Sequence, residues 1–314
     1  MPTELPAAVT ICEVGPRDGF QMEPTFIPTD HKVEVVEALS RTGVREIQAT
    51  SFVHPRAIPQ LSDAEEVMAR IERRPGVRYS ALVPNEKGAS RAIDAEVDCV
   101  DVVVSVSESH CLSNTNMTPG QAMERAGAVA ELCRGAGVEA SIGFATALGC
   151  PFEGVPPYER VESMVGRAVE GLGYTRVTLA DTVGMADPVL VRATMARLAE
   201  RFPGVTFGLH LHNTRSMGLA NLLAGLEAGI TRFDSSVAGL GGCPYAPGAT
   251  GNVATEDAVN MLEGMGVATG IELTGFLEVA RRVRDVVGHA DSGVLKAGPS
   301  SKLLGPYRGP QLTP

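Results

Sequence analysis

Two imidazoles, a thiol and an amide are the groups in this sequence best placed to do chemistry. His210 and His212 are two apart in Leu209-His-Leu-His-Asn-Thr214, so on an extended segment both side chains leave the same face. A lone His on a strand is more often a satisfied core residue than a ligand, but a pair sharing one face points to a bound cation. Roughly one βα repeat downstream, Ala238-Gly-Leu-Gly-Gly-Cys-Pro-Tyr-Ala-Pro-Gly-Ala-Thr-Gly-Asn252 forms a Gly- and Pro-rich loop, with Cys243 at its middle and Asn252 at its end. Glycines let such a loop turn at positive φ and approach a ligand closely. A loop of this length inside a compact domain is usually functional rather than a plain connector holding an inert cysteine.

The elements that must position these groups alternate regularly. Apolar strand patterns run over residues 9–14, 44–50, 77–83, 100–106, 138–144, 175–180, 205–211 and 231–235. Helical periodicity lies between them, with starts at Pro28-Thr-Asp30, Pro119, Tyr158, Pro188 and Gly218. Ser62-Asp-Ala-Glu65 reads as a capping box for a further helix. Another helix follows the loop at Pro84-Asn85 and runs to about Ala95. Thr255 to Gly264 reads as the eighth barrel helix and Thr274 to Val287 as an extra C-terminal one. This alternation predicts a (β/α)8 TIM barrel of the α/β class. Residues 1–290 form a single catalytic domain in this reading, and 291–314 a Gly/Pro-rich tail, poorly ordered from Ala297 onward. No Gly-x-Gly-x-x-Gly turn follows the first strand, which argues against a dinucleotide-binding sheet.

Composition narrows the partners. A formal net charge of −10 argues against nucleic acid or an anionic membrane surface. No apolar run approaches the ~20 residues of a membrane span, and Met1 to Ala8 lacks a signal-peptide pattern, so a cytoplasmic protein is expected. The six cysteines are scattered without a Cys-x-x-Cys pair. That indicates neither a disulfide framework nor a cysteine zinc site.

Barrel active sites sit at the C-terminal strand ends. Those ends carry Arg17 and Asp18, Gln48 and Ser51, Asn85, Ser107 and Glu108, Thr146, Asp181, then His210, His212 and the Cys243 loop. Asp18, His210, His212 and Asn252 make a set of two nitrogens and two oxygens. Mixed N/O ligation with open positions suits Mg or Mn, with Zn the second choice. A cation beside Arg17 and Cys243 suits chemistry on an enolate, since the metal acidifies a chelated hydroxyl and the guanidinium stabilises an oxyanion. Cys243 can act as a general acid, being mostly protonated at neutral pH, or as a nucleophile if a base lies beside it. Asp181 is a further catalytic candidate, and Gln48, Ser51, Asn85 and Thr146 are candidate substrate contacts.

Glu13-Val-Gly-Pro-Arg-Asp-Gly19, Thr50-Ser-Phe-Val53, Pro84-Asn85, Ala147-Leu-Gly-Cys-Pro151, Asp181-Thr182, the His pair and Asp234-Ser-Ser-Val-Ala-Gly-Leu-Gly-Gly-Cys-Pro-Tyr245 resemble the 3-hydroxy-3-methylglutaryl-CoA lyases. The resemblance spans residues 9 to about 290. It implies a Mg- or Mn-dependent lyase that cleaves an acyl-CoA thioester to acetyl-CoA and a 3-oxo acid, working as a homo-oligomer, most simply a dimer. Asp18, His210, His212 and Asn252 would bind the cation, Arg17 would steady the enolate and Cys243 would protonate it. A condensing acyltransferase of the isopropylmalate or homocitrate synthase kind shares the barrel and the His pair but has a large C-terminal extension that this chain lacks. Gln48, Met22 and Asn213 stand where the family carries other residues. With Phe20 and Met22 read as an apolar rim, these departures predict a substrate with a bulkier C3 group.

Overall fold

The computed structural model describes residues 5–242 and 251–299. Its centre is a closed barrel of parallel strands in sequence order: β1 (Thr10–Glu13), β2 (Glu46–Ser51), β3 (Arg78–Val83), β4 (Cys99–Ser105), β5 (Glu139–Ala145), β6 (Arg176–Asp181), β7 (Thr206–Leu211) and β8 (Arg232–Ser235). Around it lie α1 (Thr29–Ser40), α2 (Ala64–Arg70), α3 (Glu86–Asp94), α4 (Glu108–Thr115), α5 (Pro119–Ala136), α6 (Tyr158–Gly166), α7 (Pro188–Arg201), α8 (Gly218–Glu227), α9 (Thr255–Gly264), α10 (Leu273–Val287) and α11 (Gly293–Ala297). The expected barrel and extra C-terminal helix are both present.

Strand periodicity divides the sheet into two chemically different faces. The outward residues, among them Ala81, Val100, Ile142, Phe144, Val177, Leu179, Leu209 and Phe233, are buried against Leu39, Met123, Val165, Met195, Leu222 and Leu262 of the helices. Each fully buried aliphatic of this kind contributes roughly 1.5–3 kcal/mol. The inward face carries charged and polar groups among small and apolar ones. At the N-terminal end of the barrel Arg176 Nη2 meets Glu46 Oε1 at 2.7 Å, Arg232 Nε meets Glu46 Oε2 at 2.8 Å, and Arg78 pairs with Glu139. Burial would raise the Glu46 carboxyl, but Arg232 and Arg176 outweigh it and hold the group below its ordinary range.

Two local expectations need correcting. Ser107-Glu108 is a helix start rather than a plain strand end, for the Ser107 side chain accepts from His110 N and caps α4. The residues leading to Ala297 form α11, at whose start Ser292, Gly293 and Val294 all donate to the Asp257 carboxylate on α9; of the expected tail, residues from 300 onward lie outside the described chain. The capping box at Ser62 is not formed. Asp63 precedes α2 without a side-chain cap bond and instead accepts from Lys32 Nζ at 2.6 Å and Thr29 Oγ1 at 2.8 Å. The Lys32 and Asp63 side chains are 3% and 8% exposed, so this ion pair ties α1 to α2 inside the protein.

Removing one member of a buried pair strands the other charge. Asp63→Ala is therefore expected to cost roughly 3–5 kcal/mol in denaturant unfolding, and Ser62→Ala well under 1 kcal/mol. A large cost at Ser62 would restore the capping box.

Candidate active site

The first βα connection is a tight π-helical turn, Gly15–Gly19, which carries Arg17 and Asp18 over the barrel mouth. Asp18 accepts from Arg17 Nη1, from Gln21 Nε2 at 2.9 Å and from Asn252 Nδ2 at 2.7 Å. Burial would raise its carboxyl, but Arg17, His210, His212 and Asn252 hold it below the ordinary carboxylate range. The imidazoles of β7 converge beside it: His210 Nε2 lies 3.2 Å from His212 Nε2 and 3.9 Å from Asp18 Oδ2. One ligand atom from each of Asp18, His210 and His212 falls within 4.8 Å of the others.

Two further observations fit a cation here. Asn252 Oδ1 is buried with no hydrogen-bond partner while its Nδ2 is satisfied by Asp18 and Leu240 O. An orphan oxygen beside three convergent ligand atoms suits a metal's missing donor. His210 also has its other nitrogen engaged, Nδ1 lying 3.2 Å from Asp234 Oδ2. That carboxylate–imidazole arrangement fixes the ring with Nε2 toward the cluster. Gly241, at φ +120°, is required beside it, because a Cβ there would stand 2.2 Å from Asn252 Nδ2 and 2.9 Å from Asp18 Oδ2.

From this cluster a cavity of about 290 Å³ crosses the barrel to β4–β6. Small inward residues, Gly143, Ala145 and Ala180, leave the space open, and Asp101, Ser141, Thr178 and Arg232 form its polar floor. Val53, Ile58, Leu82, Val103 and Met117 give it an apolar wall.

The sequence-selected residues divide accordingly. Arg17, Asp18, Gln48, His210 and His212 line the cavity, with Asn252 bonded directly behind Asp18. Asp181, Ser51, Asn85 and Thr146 are not among its lining residues. Asp181 accepts from Met185 N and Ala186 N, and burial raises its carboxyl to about 6 despite those bonds. Asn85 caps α3 through Gly88 N, Ser51 Oγ accepts from Val53 N, and Thr146 is bonded to Ser107 N, Ala145 O and Thr182. Phe20 is buried in the core rather than at the rim, so the apolar-rim expectation loses that support. Cys243 lies outside the described residues. Sequence reasoning missed Gln21, Asp101, Ser141 and Arg232. The available signal was a carboxylate alternating into the apolar run Val100-Asp-Val-Val-Val104, a placement that is costly unless the group is paired or bonded.

Two buried carboxylates hold the start of the cysteine loop. Glu13 accepts from Gly15 N, Val237 N and Thr255 Oγ1, and Glu256 accepts from Ala238 N. Burial pushes each up to about 7.

The HMGL-like family profile matches residues 8–283. The hydroxymethylglutaryl-CoA lyase YngG of Bacillus subtilis is 42% identical over 283 residues, covering 90% of this chain and 94% of that protein. The mitochondrial hydroxymethylglutaryl-CoA lyase of Mus musculus is 40% identical over 87% of this chain and 84% of its own length. Among solved structures, an HMG-CoA lyase from Acenitobacter baumannii in complex with coenzyme A and 3-methylmalate superposes with a TM-score of 0.91 at 41% identity, covering 96% of this chain and 98% of the other.

Because the Glu13 carboxyl rises from 4.5 to about 7 on folding, the folded form holds a proton that the unfolded chain releases. The resulting stabilisation is full below about pH 4.5 and is lost as pH rises to about 7, a swing of roughly 3 kcal/mol. Glu13→Gln is expected to flatten the stability–pH curve in that window while Glu256 retains its share. An unchanged slope in pH-dependent denaturant melts would contradict this.

Proposed function

The chain belongs to the HMGL-like family, and on that premise we propose that it is a divalent-metal-dependent carbon–carbon lyase. Its substrate is a 3-hydroxy-3-methylglutaryl-CoA-like thioester, split into acetyl-CoA and a 3-oxo acid. The observation that carries the reading is the convergence of Asp18, His210 and His212 at the mouth of a cavity that Arg17 also lines. We read Asp18, His210, His212 and Asn252 as the metal ligands. The mixed N/O donors favour Mg or Mn over Zn. When bound, the cation would supply Lewis acidity to the C3 hydroxyl and a neighbouring oxygen.

The protein's own groups account for the remaining steps. The hydroxyl proton is released to solvent at the cavity mouth, the C2–C3 bond breaks, and C3 becomes the carbonyl of the oxo acid. The electron pair moves into the thioester as an enolate, whose oxygen Arg17 stabilises with a fixed guanidinium. Protonation of the enolate carbon, assigned to the Cys243 thiol, yields acetyl-CoA. Asp181 is assigned a supporting role, since it fixes the β6–α7 turn beside Thr182, which lines the cavity. Ser51, Asn85 and Thr146 likewise hold the backbone of the mouth, which leaves Gln48 as the direct cavity contact of that group. A homodimer, which the family resemblance implies, and a cytoplasmic location complete this reading, and no helix among the described residues is long and apolar enough to cross a membrane.

A second reading, cleavage of a substrate with a bulkier C3 group, is favoured by the open β4–β6 side with its apolar wall and small residues. A panel of 3-hydroxy-3-alkylglutaryl-CoA thioesters, scored for acetyl-CoA release, tests both readings. Activity is expected to disappear with a chelator and return with Mg or Mn. Full turnover by metal-stripped protein would overturn the assignment, and a clear kcat/KM preference for the methyl substrate would remove the second reading.

The role of Cys243 is tested separately. Cys243→Ser is expected to lower kcat by several orders of magnitude while metal binding is retained, because a hydroxyl is a far weaker acid than a thiol. An acyl-cysteine trapped during turnover would assign a nucleophile instead.

A further inference from the structure

Arg17 is held from two sides. Its Nη1 donates to Asp18, and its Nε donates to Gln48 Oε1. The Gln48 amide does not end there, for its Nε2 donates to Asp101 Oδ2 on β4. Asp101 also accepts from Ser80 Oγ at 2.6 Å and from Ser141 Oγ. These residues are well buried, with Arg17 9%, Gln48 7% and Asp101 9% exposed. Among the described residues no Lys, Arg or His lies within ion-pair distance of Asp101.

A buried carboxylate without a cation is costly unless something compensates it. Here the compensation arrives through an amide. Gln48 presents its carbonyl to the guanidinium and its NH2 to the carboxylate. The opposite orientation would set donor against donor at Arg17 and acceptor against acceptor at Asp101. The amide dipole is therefore aligned between one positive and one negative end, and each end fixes it.

We propose that Asp101 is a second counter-charge of Arg17, beyond the directly paired Asp18, delivered through Gln48, and that this relay positions the guanidinium over the cavity. Asp101 and Gln48 are then positioning residues for the enolate-stabilising arginine, which rests on the lyase reading above. The relay gives Arg17 the support of an anion without setting a second carboxylate directly against it. That leaves Nη2 without a partner among the described residues and available to a substrate oxygen.

The arrangement makes positions 48 and 101 interdependent. A carboxylate at 48 would meet the Asp101 carboxylate at hydrogen-bonding distance, where two carboxylates cannot both stay ionised. With an amide at 101, a carboxylate at 48 is acceptable, because the order of charges from Arg17 becomes plus, minus, neutral rather than plus, neutral, minus.

The test is a double-mutant cycle on the metal-loaded full chain: wild type, Gln48→Glu, Asp101→Asn and the pair together, each assayed for kcat, KM and melting temperature. Gln48→Glu is expected to lose about a hundredfold or more in kcat with a smaller change in KM, Asp101→Asn about tenfold, and the double variant to recover to within about tenfold of wild type. Independent multiplication of the two losses, or a Gln48→Glu enzyme as fast as wild type, would overturn the proposal. If Gln48→Glu fails to fold, recovery of folding in the double variant supports the coupling and its absence refutes it. If wild type releases no acetyl-CoA from any thioester, the lyase reading fails, and the same rescue sought in melting temperature still decides whether the pair is coupled.

Discussion

Charge buried along the axis of a barrel persists only where each ion is answered by another group, and that constraint organises this protein from floor to mouth. At the floor, Glu46 is shared by Arg176 and Arg232. Arg232 reaches upward, its Nη1 lying 3.1 Å from Asp234 Oδ1, and Asp234 in turn contacts His210 Nδ1. The chain of contacts thus runs from the bottom ion pairs to the imidazole whose other nitrogen faces Asp18. On the other side, Asp101 reaches Arg17 through Gln48. Both lines end at adjacent residues on one π-helical turn, so the orientations of Arg17 and Asp18 are fixed by packing far below them.

The same turn also depends on close backbone approach. Gly241 touches Asn252 and Asp18 with no room for a side chain, and Asn252 closes the gap by donating to Asp18 and to Leu240 O. A candidate cation site assembled from the turn after β1, from β7 and from the loop after β8 keeps its shape only if that loop returns to one place. Glu13 and Glu256 secure its first residues from behind, at the cost of burying two carboxyl groups that ionise with difficulty.

Much of this was legible in the sequence. Apolar strand runs and their regular alternation with helices led to the barrel, because a strand backed by helices needs a continuous apolar outer face. The His210/His212 spacing, and the placement of Arg17 and Asp18 after β1, led to the cluster of Asp18, His210 and His212 that could hold a metal. Asn252 could be picked out as a ligand candidate, but its orphan Oδ1 could not, since that depends on which way the amide points. The relay through Asp101 was illegible for a different reason. Its members lie on the turn after β1, on β2 and on β4, and only the closure of the barrel brings them into contact. A register shift between Gln48 and Thr50 in the pairing of β2 with β3 also changes which residues of that strand end face inward.

Strand parity explains why the polar residues at the mouth divide as they do. Successive side chains on a strand leave opposite faces, so a polar strand end supplies one group to the cavity and the next to the layer behind it. His210 and His212 point inward while Leu211 between them is core. Ala180 and Thr182 line the cavity, whereas Asp181 grips Met185 N and Ala186 N. Asp234 supports an imidazole, whereas Ser235 is bonded to Thr255 behind the sheet. Glu13, one residue past the inward Cys12, does for the cysteine loop what Asp181 does for the β6–α7 turn. A polar residue next to an active site therefore has two quite different uses. In this barrel one step along the strand separates the groups that face the cavity from the groups that hold the loops around it.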